Sequence, residues 1–219
     1  MITFDHWDVL PQEAIQIQET LRHLVITCDD FAPIHSIAGA DCSFLPEENA
    51  IRAAVVVYSY PDLQVQEHSL IKCQTTFPYI PGLLSFREAP AVIQAYTKLR
   101  FPPDLLLCDG HGAAHPRRFG LASHLGVILN LPSIGVAKSK LIGEHTPVAD
   151  ERGAWQSLLD GNEVIGAVLR TQPGIKPIYI STGHRISLKT AIQIVMRATK
   201  KFRLPEPCRQ AHHLVVNTV

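Results

Sequence analysis

An α/β architecture is what this sequence predicts: a mixed sheet, part antiparallel meander and part parallel strands, flanked by helices. Three observations carry it. Three strand-like segments follow one another early in the chain with only turns between them. After them, helical stretches alternate with short apolar runs, the pattern of parallel strands joined by helical crossovers. The 219 residues, 46% hydrophobic and 18% charged, have an ordinary globular composition and suffice for one core. Residues 1–219 are therefore read as a single domain.

Residues 11–23 read as a helix, with Ile15, Leu21 and Leu24 among polar residues. The meander strands are 36–44, 51–60 and 64–73. The second contains Ala53-Ala-Val-Val-Val-Tyr58, a β-branched run suited to burial on both faces. The third alternates imperfectly, as suits an outer strand, and Pro61-Asp62 marks the turn between them. Residues 83–99 read as a helix in which Pro90 either sits in an early turn or breaks the helix. A strand at 104–109, a helix at 118–129 with Leu121, Leu125 and Ile128 on one side, and a strand at 132–136 follow. Strands at 164–170 and 178–181 and a helix at 187–201, with Ser187 as its N-cap, complete the chain.

Twenty basic and twenty acidic side chains cancel, so the basic footprint usual in a nucleic-acid binder is missing. Local basic groups, Arg117-Arg118, Lys138, Lys140 and Lys200-Lys201-x-Arg203, are left to face one way, with modest affinity and a shallow salt dependence expected of them. Five cysteines, odd in number and without a CxxC pair, argue against a zinc site or a disulfide framework. Residues 1–8 carry acids and no basic n-region, which excludes a signal peptide. No apolar run approaches the roughly 20 residues a membrane span needs. A reduced, cytoplasmic setting is expected.

Three carboxylates occupy positions suited to metal ligands. Asp41 lies in the small-residue strand Ile37-Ala-Gly-Ala-Asp-Cys-Ser-Phe44, Glu88 ends Phe77-Pro-Tyr-Ile-Pro-Gly-Leu-Leu-Ser-Phe-Arg-Glu88, and Asp109 closes the apolar run Leu105-Leu-Leu-Cys-Asp109. A carboxylate at the end of a buried strand needs a partner, because an isolated buried charge is costly. Three of them together would suit Mg²⁺, which takes hard oxygen ligands and leaves room for a phosphate. Cys42 and Cys108 each adjoin one of these acids, and strand alternation turns the thiols toward the core when the aspartates face the site.

The segments Pro78-Tyr-Ile-Pro-Gly-Leu-Leu-Ser-Phe-Arg-Glu88, Asp109-Gly-His-Gly112, Ala114-His-Pro-Arg-Arg-Phe-Gly-Leu-Ala-Ser-His124 and Gly135-Val-Ala-Lys-Ser-Lys140, with weaker echoes at Ser181-Thr-Gly-His-Arg-Ile-Ser187 and Pro205-Glu-Pro-Cys-Arg-Gln-Ala-His212, together resemble the endonuclease V family. The likeness runs from about Asp41 to His212. It implies a ribonuclease-H-like sheet whose first and fourth strands are neighbours, so that Asp41 and Asp109 meet and a helix lowers Glu88 onto the same spot. It implies a Mg²⁺-dependent endonuclease, Mn²⁺ substituting, that recognises deoxyinosine in double- or single-stranded DNA and initiates repair. The enzyme would hydrolyse the second phosphodiester bond 3′ to the lesion and leave a 3′-hydroxyl and a 5′-phosphate.

In that resemblance Asp41, Glu88 and Asp109 are the metal ligands, Lys138 steadies phosphate charge, and His212 is a peripheral metal or water contact. Pro78 and Pro81 fix φ on either side of Tyr79 and Ile80, which project as a wedge into the gap left by an extruded base. Gly82, Leu84 and Gly120 would line the lesion pocket, with main-chain amides reading the hypoxanthine edge. His115 would contact nucleic acid or brace the site; Arg87 would pair with a phosphate or a site acid. His111, His124 and His184 are read as structural. Rival readings are an inosine-specific endoribonuclease of the same fold, a lesion-binding protein that does not cut, and a small-molecule phosphatase. A monomer is expected.

Overall fold

The computed structural model describes residues 7–217, and the N-terminal stretch on which the signal-peptide expectation rests lies, over 1–6, outside the described residues. The three early strands form the meander that their spacing predicts. β1 (Ser36–Leu45) pairs antiparallel with β2 (Ala50–Ser59), and β2 with β3 (Val65–Gln74), an edge strand with mixed burial. β4 (Leu105–Cys108) then lies parallel to β1, and β5 (Ser133–Ala137) parallel to β4. β6 (Trp155–Asp160), β7 (Glu163–Leu169) and β8 (Ile178–His184) add antiparallel strands beyond β5, giving one eight-stranded sheet in the order β3-β2-β1-β4-β5-β8-β7-β6. The directions and order of β1 to β5 are those of the ribonuclease-H-like sheet.

Alternation along the strands sorts the core into two faces. Ile37, Leu105, Leu107 and Ile134 pack with residues of α4 (Leu188–Ala198) and α5 (Glu206–Asn217). Ala38, Ala40, Val55 and Leu106 pack on the other side with α2 (Leu84–Thr97) and α3 (Leu121–Leu129), and Cys42 and Cys108 join this second face. α5 lies directly on β1: a Cβ at Gly39 would run into the Pro207 carbonyl, so only glycine allows this approach. Complete burial of Leu105, Leu106 and Leu107, worth about 1.5–3 kcal/mol each, pins the depth of β4 and with it the position of Asp109.

Several elements differ from their sequence reading. α1 (Pro11–Leu21) exists, but Ile15 and Leu24 are exposed and the helix buries Ala14 and Gln18 instead. Its contact is a cluster of Ala14, Phe77, Leu83 and Phe86, which takes a narrow small-residue stripe. α2 runs straight through Pro90 in its second turn. α3 starts at Leu121 because Arg118 adopts φ +55°, outside the helical region. β6 was not foreseen: only Leu158 of its residues is fully buried, and its signal is the Gly161-Asn162 dipeptide that turns the hairpin, with Gly161 at φ +60°. α5 was also unforeseen; its core stripe is Cys208, Ala211 and Val215, at helical spacing but weakly apolar. Ser187 caps α4, accepting from the Thr190 amide at 3.2 Å. No helix among the described residues is long and apolar enough to cross a membrane.

Candidate active site

Strand register assembles the acids. Ala40 pairs with Cys108 across the β1–β4 ladder, and the Asp109 amide donates to the Ala40 carbonyl at 3.0 Å, so Asp41 and Asp109 form the next rung. Counting in twos from Ile37 and Leu105 puts both carboxylates on the α5 face. α5 in turn supplies His212, whose Nδ1 lies 2.7 Å from Asp41 Oδ2. One ligand atom from each of Asp41, Asp109 and His212 lies within 4.8 Å of the others, a group that could hold a metal ion. Lys138, one residue past β5, is ion-paired with Asp109 and stands 3.4 Å from His212 Nδ1.

Glu88 reaches this place from the opposite face, on α2, and is outside that three-residue group. Its charge is nonetheless coupled to the group. Burial first, then Asp41 and Asp109, push its carboxyl up to about 8. Burial and Asp109 likewise raise Asp41 to about 6, against the pull of Lys138, His212 and the Cys42 amide, which donates to Asp41 Oδ1 at 2.7 Å. Burial and the neighbouring acids together thus oppose ionisation of Asp41 and Glu88. Arg87 stacks its guanidinium 4.0 Å over the Phe44 ring, at the outer edge of the same strand.

Beside the acids lies a cavity of about 310 Å³. Asp109, Gly110, Lys138 and Leu141 line it together with Tyr79, Ile80, Pro81, Gly82, Leu84 and Ser85 of the turn segment, and Gln18, His111, His115 and Gly120 complete the wall. Ile80-Pro81-Gly82-Leu83 is a tight turn: the Leu83 amide donates to the Ile80 carbonyl at 2.9 Å and Gly82 sits at φ +81°. Proline second and a left-handed glycine third are the signature of a type II turn. Tyr79, just before it, is 68% exposed.

His115 is buried. Its Nδ1 accepts from the Arg117 amide at 3.2 Å, which leaves Nε2 protonated to donate to the Gly82 carbonyl at 2.9 Å. Burial lowers its pKa to about 4, so it acts as a neutral brace. Pro78, exposed, flanks the turn outside the cavity wall. The basic groups are largely engaged within the protein: Arg118 pairs with Asp160 and Glu163, and Arg203 donates to the carbonyls of Lys138 and Pro177. Lys138 and Lys140 are the cations that line the cavity.

The family model for endonuclease V matches residues 19–213. The chain belongs to the endonuclease V family. An endonuclease V from Trichormus variabilis is 58% identical over 212 residues, covering 96% of each chain. The crystal structure of endonuclease V from Streptomyces avermitilis superposes with a TM-score of 0.91 at 41% identity, over 96% of this chain and 93% of that one. Endonuclease V from Ciona intestinalis, solved with a 24mer DNA containing an inosine followed by a ribo-adenosine, gives 0.81 at 31% identity, over 93% and 95%. Membership makes the chain a nuclease, a hydrolase of phosphodiester bonds.

Sequence reasoning did not single out several residues of this endonuclease V site. Ser181 accepts from the Gly112 amide at 2.8 Å, and the Thr182 carbonyl accepts from Ala113 at 2.8 Å, so β8 holds the loop after Asp109. Thr182 pairs with Ile134 across the β5–β8 ladder. Gln18, buried on α1, was missed too. Its signal is a polar residue at core spacing from Ala14, i to i+4 on one helix face.

Proposed function

We propose that this endonuclease V is a Mg²⁺-dependent enzyme that recognises deoxyinosine in DNA and hydrolyses the second phosphodiester bond 3′ to the lesion. Its products would be a 3′-hydroxyl and a 5′-phosphate, the first step of repair. The observation that carries this reading is a single cavity lined both by Asp109, one acid of the group suited to a metal, and by the exposed Tyr79 turn. Its volume falls at the low end of ligand pockets, roughly 300–1,000 Å³, which suits one extruded base.

The residues fit a hard divalent cation: two carboxylate oxygens and an imidazole nitrogen converge, and burial first, then neighbouring negative charge, raises Asp41 and Glu88. Asp41, Asp109 and His212 would hold Mg²⁺ or Mn²⁺, with Glu88 completing the set from α2. When bound, the ion supplies Lewis-acid stabilisation and a water of lowered pKa. Lys138 would leave its pairing with Asp109 to steady charge on the scissile phosphate. Tyr79 would stack where the base has left, while the cavity walls at Gly82, Leu84 and Gly120 enclose the flipped purine and exclude water from it. The enzyme would work as a single-domain monomer in a reduced cytoplasm, a redox setting in which its five cysteines stay free.

The test is a 5′-labelled duplex with one deoxyinosine, incubated with Mg²⁺ or EDTA beside its unmodified twin and an inosine RNA strand. One Mg²⁺-dependent cut, one nucleotide beyond the lesion and in DNA, is expected. Cleavage of RNA alone would replace this reading with an endoribonuclease, and binding without cleavage would make the chain a lesion sensor.

A further inference from the structure

The carbonyl of Gly82 is held by three donors from two distant parts of the chain. Gln18 Nε2 lies 3.1 Å from it, His115 Nε2 2.9 Å and an Arg117 guanidinium nitrogen 2.7 Å. Gln18 is 1% exposed, and its amide is used at both ends. Nε2 also donates to the Phe119 carbonyl at 3.0 Å, and Oε1 accepts from Arg117 Nε at 2.6 Å. Because Arg117 can only donate and both carbonyls can only accept, the amide has one workable orientation. One side chain on α1 therefore ties the Ile80–Leu83 turn to the loop that ends at Gly120, and both line the cavity.

This matters for Tyr79 because its ring is mostly in solvent and takes little placement from packing. Its position is inherited from the backbone of the turn that follows, and the anchor of that turn is the Gly82 carbonyl. With one of its three donors removed, this part-buried carbonyl would favour turning toward water, and the turn would shift with it. Extrusion of a base from a stacked duplex needs the wedge in place, whereas a single strand offers the base already unstacked.

We propose that Gln18 and Arg117 are positioning residues that fix the Tyr79 turn for base extrusion from duplex DNA. The inference rests on the deoxyinosine reading. It separates two roles for Gln18: a polar group merely satisfied in the core, and a clamp that sets the wedge.

The experiment compares the full chain with Gln18→Leu, which keeps bulk but loses both donors, and Arg117→Ala, at a partly exposed site whose removal leaves the core packing in place. Hydrogen exchange at residues 79–83 is read in the ligand-free proteins, and cleavage is read on deoxyinosine in duplex and in single-stranded oligonucleotides. Faster exchange in the turn is expected for both variants. Duplex cleavage should fall about tenfold or more in both, as for a reacting group misplaced by around an ångström, with single-strand cleavage within about twofold of wild type for Arg117→Ala, whose side chain does not line the cavity as Gln18 does. Equal losses on the two substrates for Arg117→Ala, or unchanged exchange at 79–83, would overturn the clamp. If the wild-type chain cut neither substrate, the deoxyinosine reading would fall, and the exchange result alone would still decide whether Gln18 and Arg117 hold the turn.

Discussion

The two ends of the cavity are built by different means. At the acid end, Asp41 and Asp109 face each other as the rung that follows Ala40 and Cys108 on neighbouring parallel strands, so backbone hydrogen bonds and the buried leucines of β4 set their spacing. At the recognition end, the Tyr79 turn is held by side chains that reach it from residues 18, 115 and 117. The electrostatics are opposed as well. Burial at the acid end leaves like charges crowded and pushes carboxylates up; burial at the recognition end pushes His115 down and keeps it neutral. Chemistry is thus carried by the stiffest part of the fold in a strained charge state, and recognition by an adjustable turn in a satisfied one. Damage to the first should remove activity without unfolding, and damage to the second should alter which substrates are cut.

The largest effect that contrast implies is at Asp41 or Asp109. Asp41→Ala or Asp109→Ala should lower cleavage of a deoxyinosine duplex by about 10³-fold or more, the several kcal/mol that a bound metal contributes to the transition state. The melting temperature without metal should hold or rise, because one of several mutually repelling acids is gone. Cleavage rates together with thermal melts by circular dichroism check this. Activity within tenfold of wild type, or collapse of the fold, would break the claim that the acid end is chemistry on a rigid frame. Tyr79→Ala comes next. Base stacking on an aromatic ring is worth about 1–3 kcal/mol, so duplex cleavage should fall roughly 5- to 150-fold, with the metal concentration needed for half-maximal rate unchanged. A shift in that metal requirement would mean the two ends are not separable.

The same contrast explains what the sequence revealed. The acids were legible because each closes or interrupts a recognisable strand or motif, and the meander and crossovers follow from hydrophobic period and turn residues. Asp41 and Asp109 become neighbours once the strand order is known. The Pro78 to Gly82 turn was equally readable, since proline and glycine dictate backbone geometry locally. What stayed hidden depends on partners far apart in sequence. Gln18 and Gly82 are 64 positions apart, Gln18 and Phe119 101, and no local pattern announces such a bond. His212 was readable as a motif residue, yet its contact with Asp41 depends on α5, a helix too weakly apolar to be recognised from its period. β6 was hidden for a related reason: an edge strand with one buried side chain has almost no alternation to read.

The smallest effect sets the acid end against the buried histidines, of which His115 belongs to the recognition end, because pH acts on the two groups with opposite sign. Glu88 and Asp41 have folded-state values of about 8 and 6 against ordinary ones of 4.5 and 3.8. Between roughly pH 4 and 8 the folded chain holds protons that the unfolded chain has released, so this end loses stability as pH rises. His115 and His184 at about 4, and His124 at about 3, lie below the ordinary 6.5. Between roughly pH 3 and 6.5 the unfolded chain takes up protons that the folded one refuses, so these residues lose stability as pH falls. Denaturation midpoints in EDTA should therefore trace a peak near pH 6, falling on both sides. Excess Mg²⁺ should lift the alkaline limb, where the ionised acids gain a counter-ion, and leave the acid limb in place. An alkaline limb that is flat in EDTA would mean the acids are already balanced without metal, and a Mg²⁺ effect on the acid limb instead would place the ion beside His115, His124 or His184 and away from Asp41 and Glu88.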